Sequence, residues 1–118
     1  MVIVIGLFIL TILALAAPLE LLPPKVDGHD VTQILTDDKL FQQYFDCVMG
    51  RTKCTPGGQI VKDGIPAQLK DGCANCPPIR RIGAQIIVRF MIATRCPQYE
   101  EFEKKYDPQQ KLRKLYAA

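Results

Sequence analysis

Five cysteines, a single histidine and several adjacent acids are the residues that could do chemistry in this chain of 118. Four of the cysteines make a frame, Cys47-x6-Cys54-x18-Cys73-x2-Cys76, and Cys96 stands apart from it. In a reducing compartment such a frame suggests thiolate ligands for zinc, and the Cys73-x-x-Cys76 pair at a helix start could run redox chemistry. In an oxidising one the same residues become structural disulfides. Four cysteines allow three connectivities, and spacing alone does not choose among them. Cys96 reads either as a free thiol at a helix end or as an intermolecular bridge.

Enzymatic chemistry finds little to work with. His29 lies in a glycine-flanked stretch with no third group to orient it, and the chain has no serine. Asp37-Asp38 and Glu100-Glu101 are neighbours in sequence, so they point to different sides of a helix instead of facing each other across a cleft. Gly57-Gly58 follows Pro56 but lacks the Lys-Ser/Thr that a phosphate loop needs. The expectation is a protein that is not an enzyme, with no metal and no cofactor.

The compartment follows from the first sixteen residues, MVIVIGLFILTILALA, an uncharged apolar run that reads as a secretory signal peptide cut after Ala16. Pro18, Glu20 and Pro23-Pro24 stop the run before the ~20 apolar residues that a bilayer span requires. The expected product is secreted and extracellular, without stable membrane insertion, and its framed cysteines oxidise. Net charge is +3, with acids and bases interleaved as in Glu100-Glu101-Phe102-Glu103-Lys104-Lys105. Such a surface offers little to nucleic acid. A membrane-active bundle is disfavoured as well, because the basic residues do not segregate to one helix face.

The elements that position these residues are helices. Residues 17–29 read as a flexible, extended arm, and 30–118 as one helical domain. Asp30 caps a short helix carrying Val31, Ile34 and Leu35; Thr36-Asp37-Asp38 offers a cap and first-turn acids to the next, whose apolar face holds Leu40, Phe41, Tyr44, Phe45, Val48 and Met49. Thr55-Pro56 opens a third, bent at Pro66, with Ile60, Val61, Ile65 and Leu69 on its inner side. A long apolar helix from about 78 to 95 follows, with Arg80, Arg81, Gln85, Arg89 and Arg95 marking a narrow solvent side. Then come a short helix with Tyr99, Phe102 and Tyr106, and a last piece from Gln109 to Tyr116. The fold class is all-α, about six short amphipathic helices.

This frame, with Cys-Thr-Pro opening a helix, resembles the insect chemosensory proteins, the OS-D or A10 odorant-binding family. Tyr44 before the first cysteine, Ile65-Pro66 in the third helix and Lys105-Tyr106-Asp107-Pro108 after the fifth carry the resemblance further, over about Val26 to Tyr116. It implies a hydrophobic channel between the helices, stapled by two small-loop disulfides, Cys47–Cys54 and Cys73–Cys76, with Cys96 left as a free thiol. It also implies a secreted carrier of small lipophilic ligands such as long-chain alcohols, esters, fatty acids or semiochemicals. The implied walls are Tyr44, Val48, Ile65, Leu69, Ile82, Ile86, Phe90 and Tyr99. Tyr99 stands where many members have tryptophan, Gly57 where they have glutamate. The carrier is expected to be mainly monomeric, with a Cys96-linked dimer and a membrane receptor left open. The competing reading is a secreted signalling or tissue-remodelling factor acting through its surface.

Overall fold

A computed structural model describes residues 24–117. The leader predicted at 1–16 lies outside the described residues, as do residues 17–23 of the predicted arm. The described chain opens with a hairpin, β1 (Lys25–Val26) against β2 (His29–Asp30), with Lys25 opposite Asp30 and Val26 opposite His29. Asp27 and Gly28 make the turn with φ of 52° and 80°. Two consecutive left-handed residues are what a two-residue hairpin needs, and Asp-Gly supplies them at low cost. Where the sequence predicts an extended arm without strands, the chain therefore folds back on itself.

Helix α1 (Val31–Thr36) starts where the Asp30 N–H donates to Gln33 Oε1 at 3.0 Å. In α2 (Asp38–Val48) the Asp37 carboxylate accepts from the Leu40 N–H at 2.9 Å, and Gly50 with φ of 79° leads the chain away. The predicted bent helix is two segments, α3 (Pro56–Asp63) and α4 (Ile65–Asp71), parted at Gly64. The break sits where Pro66 enters, so its missing N–H falls in the first turn of α4 and costs nothing. The Gln68 N–H still reaches the Gly64 carbonyl at 3.1 Å, so the pair remains one body with a bend. Ile60, expected on its inner face, is exposed, because the inner side of α3 is set by Gly58 against Cys47. Then come α5 (Pro78–Thr94), α6 (Cys96–Tyr106) and α7 (Lys111–Tyr116), the last starting two residues later than the sequence suggests. The fold is helical, with six helical bodies and one two-residue ladder among the described residues.

Two disulfides staple it, Cys47–Cys54 and Cys73–Cys76, with Cα separations of 4.9 and 5.2 Å. Cys96 is a free, exposed thiol. The core gathers Val31 and Leu35 from α1, Phe41 and Phe45 from α2, Val88 and Met91 from α5, Tyr99 from α6 and Leu112 from α7. The Lys105-Tyr106-Asp107 stretch holds this arrangement by its polar ends. Lys105 Nζ donates to the Met49 carbonyl and Tyr106 donates to the Val48 carbonyl at 2.5 Å, so both close the carbonyl end of α2. Asp107, buried, accepts from the Lys111 and Leu112 amides at 2.9 and 3.0 Å and starts α7.

Candidate functional site

The eight residues named as walls do not form one surface. Leu69 of α4, Ile86 and Phe90 of α5 and Tyr99 of α6 join the central cluster, Tyr99 fully buried and the other three half-buried around it. Ile65 is buried at the bend and Val48 half-buried at the end of α2, both outside that cluster. Tyr44 is half-buried on the hairpin side of the molecule. Ile82 is exposed at 45%, together with Ile79 one turn earlier, so it faces outward and is not a wall in this structure. Of the residues expected on the solvent side of α5, Arg80, Arg81 and Arg89 are exposed and Gln85 and Arg95 half-buried, but the exposed surface is wider than that stripe and takes in Ile79 and Ile82.

At the centre of the cluster Tyr99 is 1% exposed, and its hydroxyl is buried with no hydrogen-bond partner. Burial pushes this phenol well above its usual range, and the carboxylates of Glu103 on the same helix and Asp107 just past its end push it further. The phenol is therefore protonated at every physiological pH and holds a proton it can donate. The Phe102 ring lies 5.8 Å from it, and the Arg113 guanidinium sits 5.2 Å above its face. Arg113 is fixed there by a two-pronged ion pair, Nη2 to Glu103 Oε1 at 2.8 Å and Nε to Oε2 at 3.1 Å. The sequence shows Glu103 only as one of several interleaved acids; its burial at 5% comes from α7 folding back over α6. Nothing local in the sequence signals that contact.

Tyr44 belongs to a separate polar junction. Its hydroxyl donates to the Asp27 carboxylate, which also accepts from Thr55 Oγ1 at 2.6 Å and from the Gly57 amide at 2.8 Å. These donors, Thr55 and Tyr44 foremost, hold the Asp27 carboxyl below the usual carboxylate range. Burial raises the Tyr44 phenol, with the Asp27 hydrogen bond adding to it. The Thr55 hydroxyl meanwhile accepts from the Gly58 amide at 3.0 Å and so caps α3.

Two hollows open on the surface beside α7. The larger, about 630 Å³, is polar and lined by Glu100, Lys104, Gln110 and the Glu103–Arg113 pair; the smaller, about 200 Å³, lies between Leu69 and Lys111. Neither is the apolar channel that the resemblance implies. Between the helices the apolar side chains meet one another. Among the described residues no three His, Cys, Asp or Glu side chains gather as a metal site, and no helix is long and apolar enough to cross a membrane.

Compared with known proteins, residues 23–114 match the model of the insect pheromone-binding family, A10/OS-D. The chain belongs to this family. Among A10/OS-D relatives, it is 34% identical over 106 residues to ejaculatory bulb-specific protein 3 of Drosophila melanogaster, covering 90% of this chain and 84% of that protein. It is 33% identical over 92 residues to putative odorant-binding protein A10 of the same fly, covering 78% of this chain and 59% of the other. A chemosensory protein solved in complex with bromo-dodecanol superposes with a TM-score of 0.69 at 31% identity, over 76% of this chain and 90% of that one. Antennal chemosensory protein A6 from the moth Mamestra brassicae gives 0.66 at 30% identity, over 75% and 87%.

Proposed function

We propose that this A10/OS-D chain is a secreted carrier that takes small lipophilic molecules with one polar end into the space between α4, α5 and α6. One arrangement carries the reading: half-buried Leu69, Ile86 and Phe90 packed around Tyr99, whose buried hydroxyl has no partner. A buried hydroxyl without a partner costs ~1–3 kcal/mol, so an arriving oxygen that accepts its proton recovers that cost. The structural relative solved with bromo-dodecanol holds a ligand of this type, a chain ending in a hydroxyl. Long-chain alcohols, esters and fatty acids share that design.

Uptake proceeds by displacement. Half-buried aliphatic side chains move aside more readily than a fully packed core, and the two disulfides fix corners without tying α5 to α6. At ~25 cal/mol per Å² of apolar surface removed from water, a ligand burying several hundred Å² gains several kcal/mol, giving roughly micromolar affinity after association costs. No residue in the cluster is arranged to react with such a guest, so the task is carriage and not conversion. Displacement of an apolar fluorescent probe by a graded series of alcohols measures it on the protein as insect cells process it. Absence of saturable uptake would sink the proposal.

A further inference from the structure

The basic residues, evenly mixed with acids along the sequence, are sorted by the fold. Helices α4, α5 and α7 together hold seven Lys and Arg against one acid, Asp71, while the whole chain has 15 against 12. These three helices meet at one end of the molecule. Tyr116 of α7 donates to Gln68 Oε1 of α4 at 2.6 Å, and its carbonyl accepts from Arg89 Nε of α5 at 2.6 Å. Arg81 is close enough to Tyr116 to act on its phenol electrostatically. Leu115 lies against Gly72 at the end of α4.

Apolar side chains stand exposed at this same end: Ile79 at 43%, Ile82 at 45% and Leu115 at 54%. Arg80 and Arg81 stand between the two isoleucines on α5, and Lys111 and Lys114 stand one turn and one residue before Leu115 on α7; all four are exposed, and among the described residues none is in an ion pair. The other described acids lie on the hairpin, at Asp37 between α1 and α2, on α2 and α3, and on or just after α6, where Glu103 and Asp107 are taken up by Arg113 and the start of α7. A segregation that helix-by-helix periodicity did not reveal is therefore produced by tertiary packing.

We infer that this end is a docking surface for an anionic lipid leaflet, met reversibly by the basic ring and seated by Ile79, Ile82 and Leu115. Charge complementarity favours the leaflet, because each Lys or Arg near an anionic membrane surface strengthens binding about fivefold. Isolated aliphatic side chains set among those charges fit the boundary between headgroups and acyl chains, where apolar groups insert by a few ångströms. An acidic protein partner would match the charge but has no specific use for isoleucines spaced singly among arginines. The small hollow between Leu69 and Lys111 opens beside α7, so the docked face adjoins an edge of the apolar cluster. The inference stands whatever the carried molecule proves to be.

The test is sedimentation of the protein, as processed by insect cells, with phosphatidylcholine vesicles containing or lacking phosphatidylserine, at low and high salt. Binding is expected only to the anionic vesicles and is lost at high salt, because exposed charges are screened. R80E/R81E is expected to weaken it at least about tenfold, and Ile82→Asp to weaken it at unchanged charge on the arginines. K39E, on the acidic side, leaves it unchanged. Near-native far-ultraviolet circular dichroism certifies each variant, and Ile79→Ser replaces Ile82→Asp if the latter unfolds. Lack of sedimentation with anionic vesicles overturns the inference, as does equal binding to neutral vesicles or indifference to R80E/R81E.

Discussion

The Asp27 carboxylate occupies the volume that a side chain on residue 57 would need. A β-carbon built on Gly57 would lie 2.5 Å from Asp27 Oδ1 and 2.6 Å from Cγ, while the Gly57 amide donates to that same oxygen at 2.8 Å. Glycine at 57 thus makes room for the hairpin. Gly57→Ala is expected to push Asp27 off α3 and lose its bonds to Tyr44 and Thr55, a cost of about 1–3 kcal/mol in urea unfolding. Because both changes break the same junction, Gly57→Ala should cost little more in an Asp27→Ala background. Strict additivity of the two would show that the junction contributes nothing.

The same junction sets an acid limb. Asp27 has a folded-state pKa below its ordinary 3.8, owing first to Thr55 and Tyr44, then to the Gly57 amide and nearby His29, against some opposing burial. A depressed folded value means the contribution is present above 3.8 and is lost as pH falls through the folded value. Tyr44 works at the other extreme: its folded value is raised above 10.0, so its contribution is full below that pH and lost as pH rises through the folded value. Protection of the Gly57 amide from hydrogen exchange, relative to the intrinsic rate at each pH, is expected to be highest between the two extremes and to fall at both. Asp27→Asn should flatten the acid side; an unchanged acid limb would assign it to other carboxylates.

How much of this was legible depends on how local each signal is. Caps at Asp37 and Thr55, the stop at Gly72 and the cysteine frame are set by residues a few positions apart, and the helices follow. The hairpin announces itself only through Asp27-Gly28, because two-residue strands are too short for alternation to register. The Tyr99–Glu103–Arg113 group needs α7 to return over α6, and Gln110 at φ of 58° is the residue that turns it. The outward face of α5 was only partly legible, for the opposite reason: Arg80, Arg81 and Arg89 mark it, but with apolar residues on nearly every other side Ile82 and Ile86 look alike in sequence. One is exposed and the other packs on the core.

Removing the Tyr99 hydroxyl separates its cost from its use. Tyr99→Phe deletes a buried group that has no partner and keeps the ring against Phe102 and under Arg113, so the empty protein should gain up to about 1–3 kcal/mol. A rise in the thermal midpoint is the measurement. The same change should weaken a long-chain alcohol more than the matching alkane. A loss of stability in the empty protein would mean the hydroxyl is satisfied in solution.

Arg113 is the lid on that ring, and Glu103 is the charge it keeps neutralised. Arg113→Leu leaves a carboxylate 5% exposed without its partner and should destabilise the chain by about 2–3 kcal/mol, below the ~3–5 kcal/mol of fully buried pairs because Arg113 is partly in water. Replacing Glu103 by Leu as well should return much of that loss, since no orphan charge remains. Chemical unfolding of the single and double variants decides it, and a double variant worse than Arg113→Leu would show that the pair contributes more than mutual neutralisation.

The two disulfides close short loops, and their weights should differ with loop length. Cys47–Cys54 spans seven positions and Cys73–Cys76 three. Chain-entropy reasoning gives about 2.5 kcal/mol for the longer loop and about 2 kcal/mol for the shorter. The longer bridge also supports α3: a β-carbon on Gly58 would come within 2.9 Å of Cys47 Sγ, so the first turn of α3 rests directly on the sulfur. That contact is lost with the bridge, and Cys47, at 3% exposure, leaves space behind when it is shortened. Paired Cys→Ala replacement of 47 and 54 is therefore expected to lower the urea midpoint more than replacement of 73 and 76, and to loosen the Asp27 junction with it. The second pair should leave that junction intact and free the corner between Gly72 and Pro78. Equal losses from the two variants, or a Gly57 amide as protected without Cys47–Cys54 as with it, would show that the bridge closes its loop without holding the hairpin.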